Sequence, residues 1–270
     1  MKIVFIGAGS MAEAMIKGMK NADTFSNDEL WVTNKNDSNR LQLLTEKYGV
    51  KSSYDLNSLL ADADVLILAV KPKDASEALY AIKPHYNGQL LISVLAGLSI
   101  GFIESIIGKA PIARAMPNTS AMIGQSATGL SFSEGIFSTH QSTANAIFSA
   151  IGSVTHVEEA RLDLVTGLSG SGPAYIYYIV EAMEKAASEL GEDAMPFIIQ
   201  TLKGAAQMLE TSEHSPEELR KAITSEGGTT EAGIAQLEYH HVKDAFAECI
   251  KEATDHSERL RRQFEQAHNI

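Results

Sequence analysis

Two glycine-centred runs hold the residues best suited to chemistry. Thr224-Ser225-Glu226-Gly227-Gly228-Thr229-Thr230 is short and hydroxyl-rich, with a helical pattern on each side. Adjacent glycines let backbone N–H groups approach a ligand with no side chain in the way. The flanking hydroxyls add donors that carry no charge. Such a loop can hold a small carboxylate in a nest of N–H groups. Near the N-terminus, Gly7-Ala8-Gly9-Ser10-Met11-Ala12 follows an apolar run and opens a helical one. The first glycine allows a tight turn, the second brings the backbone to a pyrophosphate, and the small Ala12 permits close helix–strand packing. A helix N-terminus adds N–H groups and partial positive charge for phosphate. A dinucleotide at one end and an anion nest at the other suggest a reductase acting on a small acid.

Further candidates lie at strand ends. The second strand ends near Thr33 or Asn34, where an NAD-preferring site carries Asp or Glu for the ribose hydroxyls. This chain has Asn34 and Lys35, which suit a 2′-phosphate; a solvated lysine in a polar turn is the plainer account. Asp37 reads as the N-cap of the next helix. Ala69-Val70-Lys71-Pro72 closes another strand, on the side that lines the crevice in open α/β sheets. Lys71 is there either for function or as an ordinary surface lysine, and spacing does not choose. Ala96-Gly97 ends the next strand, where bare backbone can lie against a nicotinamide ring. Arg114-Ala115-Met116-Pro117-Asn118-Thr119 is one more strand-end turn. Glu158 and Glu159 precede the long helix, either as favourable N-terminal charge or as a carboxylate near a substrate amine. The eight histidines show no metal spacing. His240 and His241 are adjacent, so on a helix they point about 100° apart and cannot chelate one ion.

These positions require an α/β frame. Ile3–Ile6, Leu30–Thr33, Val65–Val70 and Leu90–Leu95 are continuous apolar runs, as parallel strands buried on both faces require. Helical stretches at Met11–Lys20, Asn39–Lys47 and Ala75–Ile82 lie between them. The alternation predicts a Rossmann-type, doubly wound parallel sheet. Further strands are expected near Ile112–Met116, Ala127–Phe132 and Ser153–Val157. The strand signals stop after about Ala160. Tyr175–Leu190, Phe197–Leu209 and Val242–Phe264 read as helices, and Ser215-Pro216 with Glu218 reads as a capping box. Tyr175 to Val180 is apolar on every face, so it should be buried all round; in so small a domain, that needs a second subunit. The expected division is a nucleotide-binding domain over 1–160 and an all-helical dimerisation domain over 161–270, joined rigidly near Gly170-Ser171-Gly172-Pro173.

Composition narrows the partners. The chain has 270 residues, 44% hydrophobic and 21% charged, normal for a globular protein with a full core. Its net charge of −12 argues against nucleic-acid and membrane-surface partners, both anionic. A small anion feels its own pocket instead. The single cysteine, Cys249, rules out an intrachain disulfide and fits a reducing cytoplasm. Its neighbours Ala247 and Ile250 suggest a packed thiol. No secretory signal and no membrane-length apolar stretch is expected.

Together these pieces resemble the pyrroline-5-carboxylate reductase family, the enzymes that make proline. Leu219 through Glu238 fits the family signature around its glycine-glycine-x-threonine core, and Leu168 through Tyr175 matches a second motif. The Ala69–Pro72 and Arg114–Thr119 turns also match. Two positions depart from the common pattern: Glu226 and Ser120 stand where proline is frequent. The resemblance implies NAD(P)H-dependent reduction of Δ1-pyrroline-5-carboxylate to L-proline; Asn34 and Lys35, in a ribose turn without a carboxylate, make NADPH the expected preference and NADH the weaker donor. It implies a homo-oligomer formed through the helical domain, with helical elements from both subunits at the active site. Ser225, Gly227, Gly228 and Thr229 match the substrate carboxylate loop. Thr230 matches the residue whose hydroxyl faces the ring nitrogen, and Glu159 falls near a substrate contact. Gly7, Ala8, Gly9, Ser10, Met11, Asn34, Lys35, Asn57, Ala69, Val70, Lys71, Pro72 and Ala96 are the cofactor candidates. Neither a metal nor a protein nucleophile is implied, because a protonated imine carbon is already electrophilic and needs chiefly alignment. A 3-hydroxyacid dehydrogenase of the same plan would carry a general base, typically lysine, where this chain has Gly170-Ser171-Gly172-Pro173. A nucleotide-binding regulator would not need the Gly227-Gly228-x-Thr230 core.

Overall fold

The alternation of apolar runs and helices builds an eight-stranded sheet. The computed structural model describes residues 1–22, 25 and 30–267. In chain order, the first elements are β1 (Ile3–Ile6), α1 (Ser10–Asn21), β2 (Leu30–Thr33), α2 (Ser38–Tyr48), β3 (Lys51–Ser52) and α3 (Leu56–Ala61). Next come β4 (Val65–Leu68), α4 (Ala75–Ile82), β5 (Leu90–Ser93), α5 (Ile100–Ile107) and β6 (Ile112–Met116). They are followed by β7 (Ser126–Phe132), α6 (Ser138–Ser149) and β8 (Gly152–His156). The strand order is β3-β2-β1-β4-β5-β6-β7-β8.

Period-two alternation sends side chains to both faces. Ile3, Phe5, Val65 and Ile67 pack with Met15 and Ile16 of α1, Leu41 and Leu44 of α2, and Ile147 and Phe148 of α6. Val4, Ile6, Leu66 and Leu68 pack with Leu59 of α3, Leu79 of α4, and Phe102 and Ile103 of α5 on the other face. The pairing is parallel with one exception, β6 against β7. The connection between those two strands is a short 3₁₀ turn over Thr119–Ile123. A parallel crossover needs a dozen residues or more, usually helical, so this link forces antiparallel pairing.

Helices dominate the rest: α7 (Leu162–Val165), α8 (Gly172–Ala186), α9 (Ala194–Thr211), α10 (Pro216–Ala222), α11 (Thr229–Tyr239) and α12 (Val242–Ala267). A π-helical turn at Thr166–Gly170 joins α7 to α8. The Gly-Ser-Gly-Pro run therefore enters a helix, with Pro173 in the first turn, where a missing N–H costs nothing. The capping box forms as the residue types require. The Ser215 N–H donates to Glu218 Oε2 at 2.7 Å, and the Glu218 N–H donates to Ser215 Oγ at 3.3 Å. Among the described residues, no helix is long and apolar enough to cross a membrane.

By contacts the chain divides into two compact units, Met1–Pro173 with Lys251 onward, and Ala174–Ile250. Residues 161–173 and 251–267, grouped by sequence with the helical half, thus pack with the first unit. Within that unit the buried Asp163 accepts from Ser257 Oγ at 2.7 Å and from Arg261 Nε at 3.0 Å. Phe264 meets the Phe102 ring edge-on at 5.5 Å. In the second unit the apolar run at the start of α8 is not enclosed by its own chain: Ile176, Tyr177 and Tyr178 are 47%, 61% and 72% exposed. Cys249 is exposed rather than packed, because α12 buries only Ser257 in the single chain.

Candidate active site

The glycine loop and the strand ends of the first unit enclose a cleft of about 930 Å³. Gly7–Met11, Asn34, Lys35 and Ala69–Pro72 all line it. Gly7 has φ +114°, and a Cβ there would lie 2.5 Å from the Ala69 carbonyl oxygen. Only glycine permits this close approach of the loop after β1 to the end of β4. Gly9 precedes α1 with no side-chain cap. The first-turn N–H groups of Ser10, Met11 and Ala12 lack intrahelical partners and face an anion with the positive end of the helix.

The turn after β2 is tightly bonded. Asn34 Nδ2 donates to the Asp37 carbonyl at 2.7 Å, and Asn34 Oδ1 accepts from the Asp37 N–H at 2.8 Å and Tyr54 Oη at 3.1 Å. Asp37 caps α2 by accepting from the Arg40 N–H at 2.9 Å. Lys35 Nζ donates to Glu77 Oε2 at 2.7 Å. Among the lining residues that sequence reading missed are Arg40, Tyr54 and Glu77. They reach this turn from α2, the β3–α3 connection and α4, and no local motif announces such contacts.

Glu13 of α1 supports the cleft from behind. Burial alone would raise its pKa, but hydrogen bonds from Lys47, Tyr48 and Arg40 prevail and hold it at about 2. The donors lie at 2.9, 2.7 and 2.6 Å respectively.

Two cofactor candidates lie elsewhere in the first unit. Asn57 is exposed in the first turn of α3, where its N–H donates to Asp55 Oδ1 at 3.1 Å. Ala96 is half-buried beyond β5, outside the cleft lining. The bare side of Gly97 faces protein rather than an open ring site: a Cβ there would lie 2.8 Å from Leu260 Cβ of α12. Glu159 also has a partner the sequence does not announce. Its Oε1 accepts from Arg114 Nη1 at 2.9 Å and from the Ile100 N–H at 2.6 Å. The Arg114 side chain is only 3% exposed, so Glu159 neutralises a buried cation. Its carboxylate sits at the N-terminus of α5, not of the long helix α8.

The second glycine run lies in the second unit. Ser225 to Gly228 form a turn, with the Gly228 N–H donating to the Ser225 carbonyl at 3.0 Å and Gly227 at φ +70°. Glu226 stands at the position where proline would stiffen such a turn. The loop is tied differently here, since the Gly227 N–H donates to Glu231 Oε2 at 2.8 Å. Gly227 and Gly228 thus spend their N–H groups inside the protein. The donors left at the start of α11 are the first-turn N–H groups of Thr229, Thr230 and Glu231. Thr230 is the second residue of α11, and Gly228 is its N-cap. Thr230 therefore does not cap this helix.

Comparison with known proteins finds relatives over nearly the whole chain. Residues 2–97 match the model of an NADP oxidoreductase, coenzyme F420-dependent family, and residues 159–260 match that of pyrroline-5-carboxylate reductase dimerisation. Pyrroline-5-carboxylate reductase 2 of Bacillus subtilis is 46% identical over 267 residues, covering 97% of this chain and 96% of the relative. The chain belongs to the pyrroline-5-carboxylate reductase family. Solved structures of this family superpose over nearly the whole chain. A pyrroline-5-carboxylate reductase from Coxiella burnetii is 36% identical with a TM-score of 0.84, covering 96% of this chain and 98% of that one. The Plasmodium falciparum pyrroline carboxylate reductase, solved with NADP bound, is 28% identical with a TM-score of 0.88 and the same coverage.

Proposed function

We propose that this chain reduces Δ1-pyrroline-5-carboxylate to L-proline, with NADPH as the preferred hydride donor and NADH as a weaker one. The observation that carries the reading is the start of α11. Unpaired first-turn N–H groups there meet a threonine hydroxyl that bonds to no other described residue. The residues around the cleft fit a dinucleotide: a helix N-terminus for its pyrophosphate, and a ribose turn without a carboxylate at its first two positions. Bound there, the nicotinamide supplies the hydride. The protein's tasks are to hold the substrate carboxylate and to orient the ring nitrogen. Ser225, Gly227, Gly228 and Thr229 shape the carboxylate nest, and the Thr230 hydroxyl contacts the nitrogen. The helical unit pairs with a second copy, supported by the exposed apolar start of α8. Its interface is expected to exceed roughly 2,000 Å², the range of obligate dimers. A lone cysteine suits a cytoplasmic place of action.

The test is NADPH oxidation by the pure protein with the synthetic imine. Thr230→Ala loses a hydrogen bond to a charged partner, about 1.5–3 kcal/mol, or roughly 10- to 100-fold in kcat/KM. NADPH affinity stays unchanged, and Thr230→Ser keeps much of the activity. An alanine variant with full kcat/KM would refute the role of Thr230, and a wild type that binds NADPH without turnover would refute the reaction.

A further inference from the structure

We infer that Arg40 is the residue that reads the phosphate distinguishing NADPH from NADH, and that Lys35 is not. The inference rests on the cleft being an NADPH site. The donor side chains lining the ribose-recognition end of the cleft include Asn34, Lys35, Asn36, Tyr54 and Arg40, of which Lys35 and Arg40 are cationic. Asn34 closes its own turn, bonded to both backbone groups of Asp37 and to Tyr54. Lys35 is neutralised by Glu77 and stands in water, its side chain 67% exposed. A flexible, screened and already paired ammonium contributes little to anion binding.

Arg40 differs in each respect. Its side chain is only 24% exposed. Nε donates to the Ala8 carbonyl at 2.7 Å, and Nη2 donates to Glu13 Oε2 at 2.6 Å. Both bonds fix the plane of the guanidinium against the glycine loop, beside the end of β2. Nη1 has no bond to any described residue. In this fold the ribose lies between the glycine loop and the end of the second strand, and an arginine there accommodates a 2′-phosphate. A fork held in place loses little freedom on binding and offers directional, charge-assisted donors. Glu13 is thus a positioning residue: it holds Arg40 without facing the ligand.

Equilibrium fluorescence titration of the pure protein with NADPH and NADH tests this without any turnover. Arg40→Gln keeps an N–H donor for the Ala8 carbonyl but removes the charge. It is expected to weaken NADPH on the order of tenfold while changing NADH about twofold or less. Lys35→Ala is expected to move both by about twofold or less. Equal losses for the two cofactors in Arg40→Gln would mean that Arg40 merely clamps the loop they share, overturning the inference. So would a selective NADPH loss in Lys35→Ala with none in Arg40→Gln. Where Arg40→Gln does not fold, Arg40→Lys decides by the same ratio, since a lysine keeps the charge but not the fixed fork: a ratio equal to the wild type's refutes the inference. A protein that shows the NADPH selectivity yet fails to reduce the imine would separate failure of the proposed reaction from failure of this assignment.

Discussion

The two units bury their apolar residues to different degrees. In the first, helices sandwich a sheet whose central strands are closed on both faces, and Phe5, Phe102 and Phe148 are fully buried. In the second, α8, α10 and α11 bury no residue at all, while Tyr178, Phe197 and Tyr239 are exposed. Exposed apolar surface at that density marks an interface. The first unit is a finished core that carries a cleft. The second has its helices in place but not its core.

The largest test of this contrast is a charge on the open face. Ile176→Glu with Tyr178→Glu would bury unpaired carboxylates in the expected interface, at about 3–5 kcal/mol. Light scattering is expected to show monomers, with activity down several hundredfold or more. The control is Tyr80→Glu on α4, also over half exposed but in the finished unit, where neither mass nor activity is expected to move. Equal behaviour of the two variants would erase the distinction.

A second test asks whether the end of α12 belongs to the finished unit. Asp163→Ala removes a buried carboxylate and leaves Arg261 and Ser257 without it. A loss of about 2 kcal/mol is expected. Hydrogen exchange should rise over residues 251–267 and stay unchanged over 242–250; a uniform rise along α12 would contradict the division.

Acid sharpens the contrast further: Glu13 in the first unit carries the large depression, while Glu217 and Glu218 in the second are lowered by exposed partners. The Glu13 pKa falls from 4.5 to about 2 on folding, so its stabilisation is complete above pH 4.5 and disappears as the pH falls through 2. Discounted for partial solvent screening, it is worth about 2 kcal/mol. Urea melts are expected to lose that amount across this window, and Glu13→Gln is expected to flatten the loss. The smallest effect belongs to the helical unit: Ser215→Ala opens the capping box at a cost of about 1 kcal/mol in thermal melts, with kcat unchanged.

What the sequence made legible was local. The Gly7–Ala12 loop, the Asp37 cap and the Ser215–Glu218 box each lie within a few residues, so their chemistry is visible in the order of letters. Arg40 was not legible as a cleft residue, because its partner is the Ala8 carbonyl, 32 positions away. The same holds for Glu159 and Arg114, 45 positions apart. Helix α6 hid behind residues of poor helix propensity, Ser, Thr and Asn, which burial of Ile147 and Phe148 overrides. At Thr230 the helix register was not legible: α11 begins one residue before it, so Gly228 rather than a threonine is the N-cap. Glu231, unremarked in the sequence, holds the turn that proline would otherwise stiffen.

The return of α12 to the first unit also bears on the order of events during synthesis. Met1–Pro173 leaves the ribosome first, yet its surface at Gly97, Phe102 and Asp163 is covered by Leu260, Phe264, Ser257 and Arg261. Those residues are made only after the whole second unit. The nucleotide-binding fold therefore cannot close domain by domain behind the ribosome, as simpler two-domain chains do. It must carry an open apolar patch and a buried-type aspartate without its arginine until the helical unit has been made. The nascent chain thus has a window of vulnerability that the finished protein does not show.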